Sequence, residues 1–155
     1  MEIKASLEKP YTDEQRMSFV VEQNHNLGYE IRETETALQA WGYTEEEIAQ
    51  QEQERIAQLH LTRGDVFRAL LLARQVTRTQ LRAMIEQMPD ETPEQAMAKE
   101  LALIDFDEAL DFYRGVALID TLGLALGITE EQMTEFFETN DWHVLIPDSR
   151  NEVQE

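Results

Sequence analysis

Threonines placed three residues before Glu, Gln or Asp recur along the chain, and six of these pairs are the strongest constraint on its fold. In such a pair the threonine oxygen accepts a hydrogen bond from the later backbone N–H, and a Glu or Gln there accepts one from the threonine N–H. Both bonds satisfy groups that a helix start leaves unpaired, so the repeat predicts six helix starts. The six threonines are Thr12, Thr44, Thr62, Thr77, Thr92 and Thr129.

Apolar residues spaced by three, four or five positions follow these signals, which is the spacing of a helix. One such row is Phe106, Leu110 and Tyr113. We find no alternation of apolar and polar residues long enough to predict a strand. The sequence therefore predicts an all-α protein, a compact helical bundle of six or seven short helices that includes helical hairpins. The predicted helices cover residues 12–26, 44–60, 62–74, 77–88, 92–113, 116–126 and 129–139.

The length of 155 residues suits one domain. We expect a single helical domain over residues 1–146, in which a connector at 27–43 precedes the helices of 44–139. A short segment at 140–146 is predicted to dock on the body through Trp142 and its neighbours, and 147–155 to form a polar tail. No apolar run is long enough to cross a membrane, and the absence of cysteine fits a reducing cytoplasm.

The net charge of −19 is unevenly distributed. Residues 1–60 hold 13 acidic and 5 basic groups, residues 61–82 hold 1 and 5, and residues 83–155 hold 18 and 3. An anionic surface repels phosphate backbones and anionic membranes and attracts basic proteins. We therefore expect a protein partner with a basic surface, without direct nucleic-acid or membrane binding. Plain solubility is the alternative use of this charge.

The run from Asp105 to Asp111 is the first candidate binding face. A continuous helix here would place Asp107 and Asp111 one turn apart, with Glu108 beside them. The run lacks the second motif of a di-metal bundle, so an exposed acidic face is favoured over a cation site. Its predicted partner-binding carboxylates are Asp105, Asp107, Glu108 and Asp111.

The second candidate face lies on the second helix of a segment, 120–137, that resembles a DNA-binding helix-turn-helix. Gly123 would lie where the two helices touch and Gly127 at the turn. Reading DNA requires Arg, Lys, Asn or Gln on the second helix, but four glutamates occupy it, which favours a helical hairpin that packs the core. These glutamates, Glu130, Glu131, Glu135 and Glu138, complete the predicted partner-binding set.

Five arginines lie in a predicted hairpin at 61–88. They are Arg63, Arg68, Arg74, Arg78 and Arg82. In so acidic a chain we expect them to pair with carboxylates on neighbouring helices or on a second subunit, which leaves self-association open. A break at Val76 and Thr77 would scatter any continuous arginine stripe. Asp120, in an otherwise apolar stretch, needs a partner, and Arg114 or Thr121 is nearest in sequence.

Catalytic motifs are lacking in the sequence. His25, His60 and His143 are far apart and belong to no metal-ligand spacing, and no phosphate-binding glycine loop or nucleophile elbow occurs. We therefore expect a protein that is not an enzyme and uses neither a cofactor nor a metal.

Two blocks of the chain resemble small acidic proteins of bacteriophages and prophages that are often encoded near tail genes. The first block comprises Lys9-Pro-Tyr-Thr-Asp-Glu-Gln-Arg16, Phe19-Val-Val-Glu-Gln-Asn-His25 and Glu33-Thr-Glu-Thr-Ala-Leu-Gln-Ala-Trp-Gly42. The second comprises Leu61-Thr-Arg-Gly-Asp-Val-Phe-Arg-Ala-Leu70, Ile104-Asp-Phe-Asp-Glu-Ala109 and Leu118-Ile-Asp-Thr-Leu-Gly123. The resemblance implies a genomic neighbourhood and supplies no catalytic residues.

Two main hypotheses of function follow, and an enzyme is a third, which a bound metal or a pocket joining His60 or His143 to two carboxylates would favour. In the first, a phage-derived protein binds a basic surface through its acidic helical faces, for instance the nucleic-acid channel of a host defence nuclease, as an anti-CRISPR or another nucleic-acid mimic would. In the second, it is a tail-associated structural or assembly protein recognised through apolar contacts near Phe67, Trp41 or Trp142. The first expects the host cytoplasm, and the second extends the expected location to the virion.

Overall fold

The computed structural model describes residues 1–147, and it shows that the expected all-α bundle is wrong. Within these residues seven α-helices accompany five strands in two antiparallel sheets, so the fold is mixed α and β. The strands are β1 (Glu2–Glu8), β2 (Glu30–Glu33), β3 (Ala37–Gly42), β4 (His60–Thr62) and β5 (Asp111–Tyr113). The helices are α1 (Asp13–Val20), α2 (Glu45–Gln58), α3 (Arg63–Arg74), α4 (Arg78–Glu86), α5 (Pro93–Glu108), α6 (Ala117–Leu126) and α7 (Glu130–Thr139).

All six helix starts that the threonines predict are confirmed. Each threonine oxygen accepts a hydrogen bond from the backbone N–H three residues later. At Thr129, for example, the N–H of Gln132 lies 3.1 Å from the threonine oxygen, and the Gln132 side chain accepts from the Thr129 N–H at 3.0 Å. Only Thr62 lacks the returning bond within the described residues, because the third residue there is the short Asp65.

The chain divides into two compact units, and their boundary falls within α2. Unit 1 is Met1–Gln53, and unit 2 is Glu54–Glu155, of which residues 54–147 are described. In the segment predicted to dock, a 3₁₀-helix spans Trp142–Leu145, and Leu145 is fully buried. Of the predicted tail, everything after Pro147 lies outside the described residues.

Unit 1 is built on a three-stranded sheet in the order β1-β3-β2. The predicted connector at 27–43 therefore contains two strands, with Ile31 opposite Ala40 on the central β3. On the other side, Leu7 of β1 lies opposite Leu38. Alternating Ile3, Ala5 and Leu7 are the strand signal in β1, but a register shift between Ile3 and Ala5 shortens the regular stretch.

The helix predicted at 12–26 changes type along its length. After α1 the chain continues as a π-helix over Val21–Asn26, a rare form with wider hydrogen-bonded turns. The segment closes where the Tyr29 N–H donates to the Gln23 carbonyl at 2.8 Å and the Asn24 side chain donates to the Tyr29 carbonyl at 2.7 Å. The Tyr29 ring then lies against Gly42, where a Cβ would come within 2.8 Å of the ring.

Unit 2 contains a large apolar core to which α3 to α7, β5 and the 3₁₀-helix contribute buried residues. β4 and β5 form an antiparallel pair in this unit, with Leu61 opposite Phe112. The ring centroids of His60 and Tyr113 lie 5.0 Å apart. The predicted helix 92–113 is therefore too long. α5 ends at Glu108 because Ala109 is extended and the buried Phe112 belongs to a strand.

The hairpin of α6 and α7 agrees with the sequence analysis. Gly127 adopts the left-handed conformation at φ 70° and ends α6. A Cβ on Gly123 would lie 3.2 Å from the Met133 side chain, so this glycine marks a close approach of the two helices. Positions 123 and 127 thus have the packing and turn roles that their spacing predicts.

Of the two candidate partners of Asp120, Arg114 forms the pair, whereas the Thr121 hydroxyl donates to the Ala117 carbonyl, and it is the arginine that is buried. Arg114 is only 7% exposed, and its guanidinium donates to Asp120 at 2.7 Å. It also donates to the Thr134 hydroxyl at 3.2 Å and to the Glu130 carbonyl at 3.4 Å. These three acceptors tie α6 and α7 to the end of β5, and a buried guanidinium requires such satisfaction.

Candidate partner-binding surface

The predicted acidic face at 105–111 is divided by the end of α5. Asp105, Asp107 and Glu108 lie in the last turns of the helix, but Asp111 begins β5. The expectation that Asp107 and Asp111 lie one helical turn apart is therefore wrong. Asp111 is separated from the helix because β5 pairs with β4, which places Asp111 opposite Thr62.

Asp107 is occupied by an internal ion pair. Arg82 donates to both carboxylate oxygens, from Nε at 3.2 Å and from Nη2 at 3.0 Å. This hydrogen bonding is the main cause that lowers the pKa of Asp107 and raises the pKa of Arg82. Of the predicted run, Asp105, Glu108 and Asp111 form no ion pair within residues 1–147 and so remain available to a partner.

The outer face of α5 carries an apolar row that the sequence analysis missed. Met97, Leu101 and Ile104 are spaced by four and three residues and are 62%, 53% and 48% exposed. The opposite face of the same helix buries Ala102 and Phe106 in the core. We call Met97, Leu101 and Ile104 the α5 stripe, a helix face that stays about half exposed in the described chain.

Carboxylates surround the α5 stripe. Each lies three or four residues from a stripe member and so neighbours it on the helix surface. None forms an ion pair within residues 1–147. We call this set the acidic rim: Glu94, Glu100, Asp105 and Glu108. The signal was present in the sequence, because apolar residues occur all around the helix instead of along one side.

The second predicted face lies on α7, where all four glutamates are exposed. Glu131, Glu135 and Glu138 are spaced by four and three residues and form a row that we call the α7 stripe. Glu138 is bound by Arg55, with nitrogen and oxygen 2.7 Å apart. Like charges at such spacing disfavour a helix by roughly 0.2–0.5 kcal/mol per pair.

The five predicted arginines do not form one stripe, because Gln75 in the left-handed conformation ends α3 before α4 begins. Arg74 donates to the carbonyls of Leu145 at 2.7 Å and Leu126 at 3.1 Å, and burial lowers its pKa. Arg68 pairs with Asp65 at 3.1 Å. Arg74 and Arg68 are therefore both bound to groups within unit 2.

The other three arginines lie together. Arg82 pairs with Glu86 as well as with Asp107. Arg63 donates to the Asp107 carbonyl, and Arg78 forms no hydrogen bond or ion pair within residues 1–147. The local charge is therefore positive in a unit that is otherwise strongly acidic.

The aromatic residues proposed for apolar recognition are each partly covered. Arg32 lies over the Trp41 ring at 4.6 Å, the ring of Phe67 is 5.0 Å from that of Phe106, and Trp142 stacks on His143 at 3.9 Å. Leu124, by contrast, is 86% exposed on α6. Large exposed apolar surface is thus found on helices α5 and α6 of unit 2.

The three histidines lie on different elements, His25 in the π-helix, His60 in β4 and His143 in the 3₁₀-helix. His143 lies 2.6 Å from Asp141, and this contact is the main cause that lowers the pKa of Asp141. Within residues 1–147 no three His, Asp or Glu side chains are grouped so that they could hold a metal ion. No helix in this part of the chain is long and apolar enough to cross a membrane.

Comparison with known proteins adds no relative: no family model, curated protein or solved structure matches the chain.

Proposed function

We propose that this chain is a non-catalytic binding protein and that unit 2 recognises a basic, amphipathic helical segment of a protein partner. The observation that supports this most directly is the α5 stripe, an exposed apolar row enclosed by the unpaired carboxylates of the acidic rim. An amphipathic helix docks by laying its apolar face in such a surface. Lysines or arginines at its edges would pair with the rim.

The chemistry of the stripe favours a protein helix over a nucleic acid or an anionic membrane. Phosphate groups would be repelled by Glu94, Glu100 and the other rim carboxylates. A partner that is basic but not apolar would leave the methyl groups of Leu101 and Ile104 without contacts. Covering what is still exposed of each stripe side chain contributes roughly 1 kcal/mol. Only a partner with both properties uses the whole surface.

A second copy of the chain is disfavoured as the occupant. Two α5 stripes packed face to face would bring two acidic rims together, and like charges across an interface oppose association. The chain also carries −19 overall, which adds long-range repulsion between copies. The surface therefore supports a different molecule as partner.

A direct test uses a synthetic peptide of leucine and lysine that forms an amphipathic helix. We expect saturable binding by isothermal titration calorimetry, weakening as salt rises because the rim pairs are screened. Leu101→Ser removes a central stripe contact and should weaken binding several-fold. Leu124→Ser is the matched control, because it removes an exposed leucine from α6 and should leave the affinity unchanged.

The charge of the rim is tested separately by Glu100→Lys combined with Asp105→Lys. This variant should reduce binding of the lysine peptide and allow binding of the same helix made with glutamate. A wild-type protein that ignores the lysine peptide, or that loses it equally in Leu101→Ser and Leu124→Ser, contradicts the proposal. Dimers detected by sedimentation that Leu101→Ser dissociates would assign the stripe to a second copy instead.

The α7 stripe favours a second candidate function, that of a nucleic-acid mimic inhibiting a host defence nuclease. Its carboxylates form a row without an apolar centre, as a row of phosphates does. The test measures whether the protein displaces DNA from a purified defence nuclease. Glu131→Lys with Glu135→Lys should abolish displacement, and the Leu101→Ser variant should retain it. Equal displacement by the α7 variant would exclude this function for α7.

A phage tail or assembly protein remains the alternative setting for the first proposal. Such a partner would present the basic amphipathic helix that α5 requires. It should compete with the lysine peptide for the α5 stripe, and the Leu101→Ser variant should fail to bind either. A tail protein that binds without displacing the peptide would use another surface.

A further inference from the structure

Three arginines line an open cavity of about 350 Å³ beside α5. We call it the arginine pocket, and its lining comprises Arg63, Arg78, Thr79, Arg82, Phe106 and Asp107. It is separate in chemistry from the α5 stripe, since cationic donors replace carboxylates and apolar side chains. The proposed partner surface gives it no role.

Two of the three guanidinium groups are held in place before any ligand binds. Arg82 is fixed by its two bonds to Asp107. Arg63 lies over the rings of Phe67 at 5.3 Å and Phe106 at 5.9 Å, and it donates to the Asp107 carbonyl. Prior ordering lowers the entropy lost when such groups bind a ligand.

The charge in the pocket is incompletely balanced. Asp107 is the only carboxylate that lines it among the described residues, and it is bonded to Arg82, which also pairs with Glu86 outside the lining. Arg63 forms no ion pair, although its charge helps to lower the pKa of Asp107, and Arg78 forms no hydrogen bond or ion pair in residues 1–147. Arg78 is also the first residue of α4, whose N-terminal end carries partial positive charge. An anion is the ligand that this arrangement lacks.

We propose that the arginine pocket binds the phosphoryl group of a small phosphorylated ligand. Guanidinium groups offer planar paired donors that match phosphate oxygens, and an anionic group answers the excess positive charge of the three arginines. The volume falls at the lower end of the range of small-ligand sites, so it accommodates more than a bare phosphate. A long polyanion is excluded by the surrounding carboxylates, whereas screening over about 10 Å lets a small anion respond to the pocket alone.

Arg78 allows a clean test because it forms no hydrogen bond or ion pair within residues 1–147. Wild-type protein is titrated with pyrophosphate, and with inorganic phosphate, at constant ionic strength in chloride. The Nε–H signals of the arginines are followed by NMR, and affinity by calorimetry. We expect saturable binding, with pyrophosphate tighter. Arg78→Gln should weaken it about tenfold or more, as expected when a charge-assisted hydrogen bond is lost.

Arg68→Gln is the matched control, since it also removes one positive charge but from an arginine outside the pocket. It should change the affinity by less than about twofold, because an exposed charge at a distance is screened. Absence of saturable pyrophosphate binding overturns the proposal, as does an equal loss in Arg78→Gln and Arg68→Gln. Tighter binding of a short DNA oligonucleotide, abolished by Arg78→Gln, would overturn the assignment to a small ligand.

Discussion

The two units of this chain use different means to become stable. Within residues 1–147, unit 1 buries three apolar side chains, Ala37, Leu38 and Ala40, whereas unit 2 buries sixteen. Unit 1 instead relies on its sheet and on exposed ion pairs such as Lys9 with Glu33, which typically contribute 0–1 kcal/mol each. Apolar burial is thus a much larger source of stability in unit 2 than in unit 1. We therefore expect unit 1 to unfold first when denaturant is added.

Each unit contains one tryptophan, which allows the comparison to be measured. Trp41 reports on unit 1 and Trp142 on unit 2. Fluorescence of the single-tryptophan variants Trp142→Phe and Trp41→Phe therefore follows the two units separately in denaturant. We expect the Trp41 transition at the lower denaturant concentration. Coincident transitions would show that the two units unfold together, which would contradict a difference in their stability.

The largest effect is expected from Phe136→Ala. Phe136 is fully buried in unit 2, and its loss should lower the free energy of unfolding by about 3–5 kcal/mol through lost burial and a cavity. The shift should appear in the Trp142 transition and leave the Trp41 transition unchanged. An equal shift of both would contradict separate cores.

Two glycine substitutions compare close packing in the two units. A Cβ on Gly115 would lie 2.7 Å from that of Ala57 and 3.1 Å from its Cα, which the backbone cannot readily avoid. On Gly42 it would meet the Tyr29 ring, which can turn away. We expect Gly115→Ala to cost about 1–3 kcal/mol in the Trp142 transition. Gly42→Ala should cost less in the Trp41 transition, and the reverse order would refute this distinction.

Helix caps provide the same chemistry in both units. Thr12→Ala in unit 1 and Thr129→Ala in unit 2 each remove a capping box and should cost about 1 kcal/mol. A given loss shifts the melting temperature of a smaller unit further, because its unfolding entropy is smaller. Thermal melts should therefore show the larger shift for Thr12→Ala. Serine at either position keeps the hydroxyl and should restore most of the stability.

The smallest effect concerns acid. Hydrogen bonding, chiefly from Tyr11, lowers the pKa of Glu33 in unit 1, as Arg82 lowers that of Asp107 in unit 2. A lowered pKa stabilises the fold above the unfolded pKa, and this is lost as pH falls through the folded pKa. Glu33→Gln should therefore flatten the acid dependence of the Trp41 transition only, and Asp107→Asn that of the Trp142 transition only. Crossed effects would contradict the assignment.

Local chemistry explains what could be predicted from the sequence. A cap such as Thr129 with Gln132 is complete within one turn, so its residues alone determine it. The strands depend on partners far along the chain, as β4 with β5 shows, and three residues are too few to display a period. β1 did display one, because Ile3, Ala5 and Leu7 alternate with polar residues over Glu2–Glu8, and the sequence analysis overlooked this signal.

The candidate site was predictable to a similar extent. The acidic character of α5 and α7 could be read from composition, because charged side chains are seldom buried without partners. That Asp107 is internally paired depends on Arg82, twenty-five residues earlier, and no local pattern indicates it. The α5 stripe was hidden for another reason. Both faces of the helix are apolar, and the sequence does not say which one the core takes.

That ambiguity has a consequence for how the chain reaches its native state. Because α5 is apolar on two sides, it could pack on the rest of unit 2 in two orientations about its own axis. The non-native orientation would bury Met97 and Leu101 in place of Ala102 and Phe106. It would also move Asp105 and Glu108 toward the interior, where burying an unpaired carboxylate lowers the stability of the fold. The ion pair between Asp107 and Arg82 would be broken as well. Apart from their proposed part in recognition, the charges around the outer face thus disfavour the alternative orientation of α5 during folding, so the native orientation is selected.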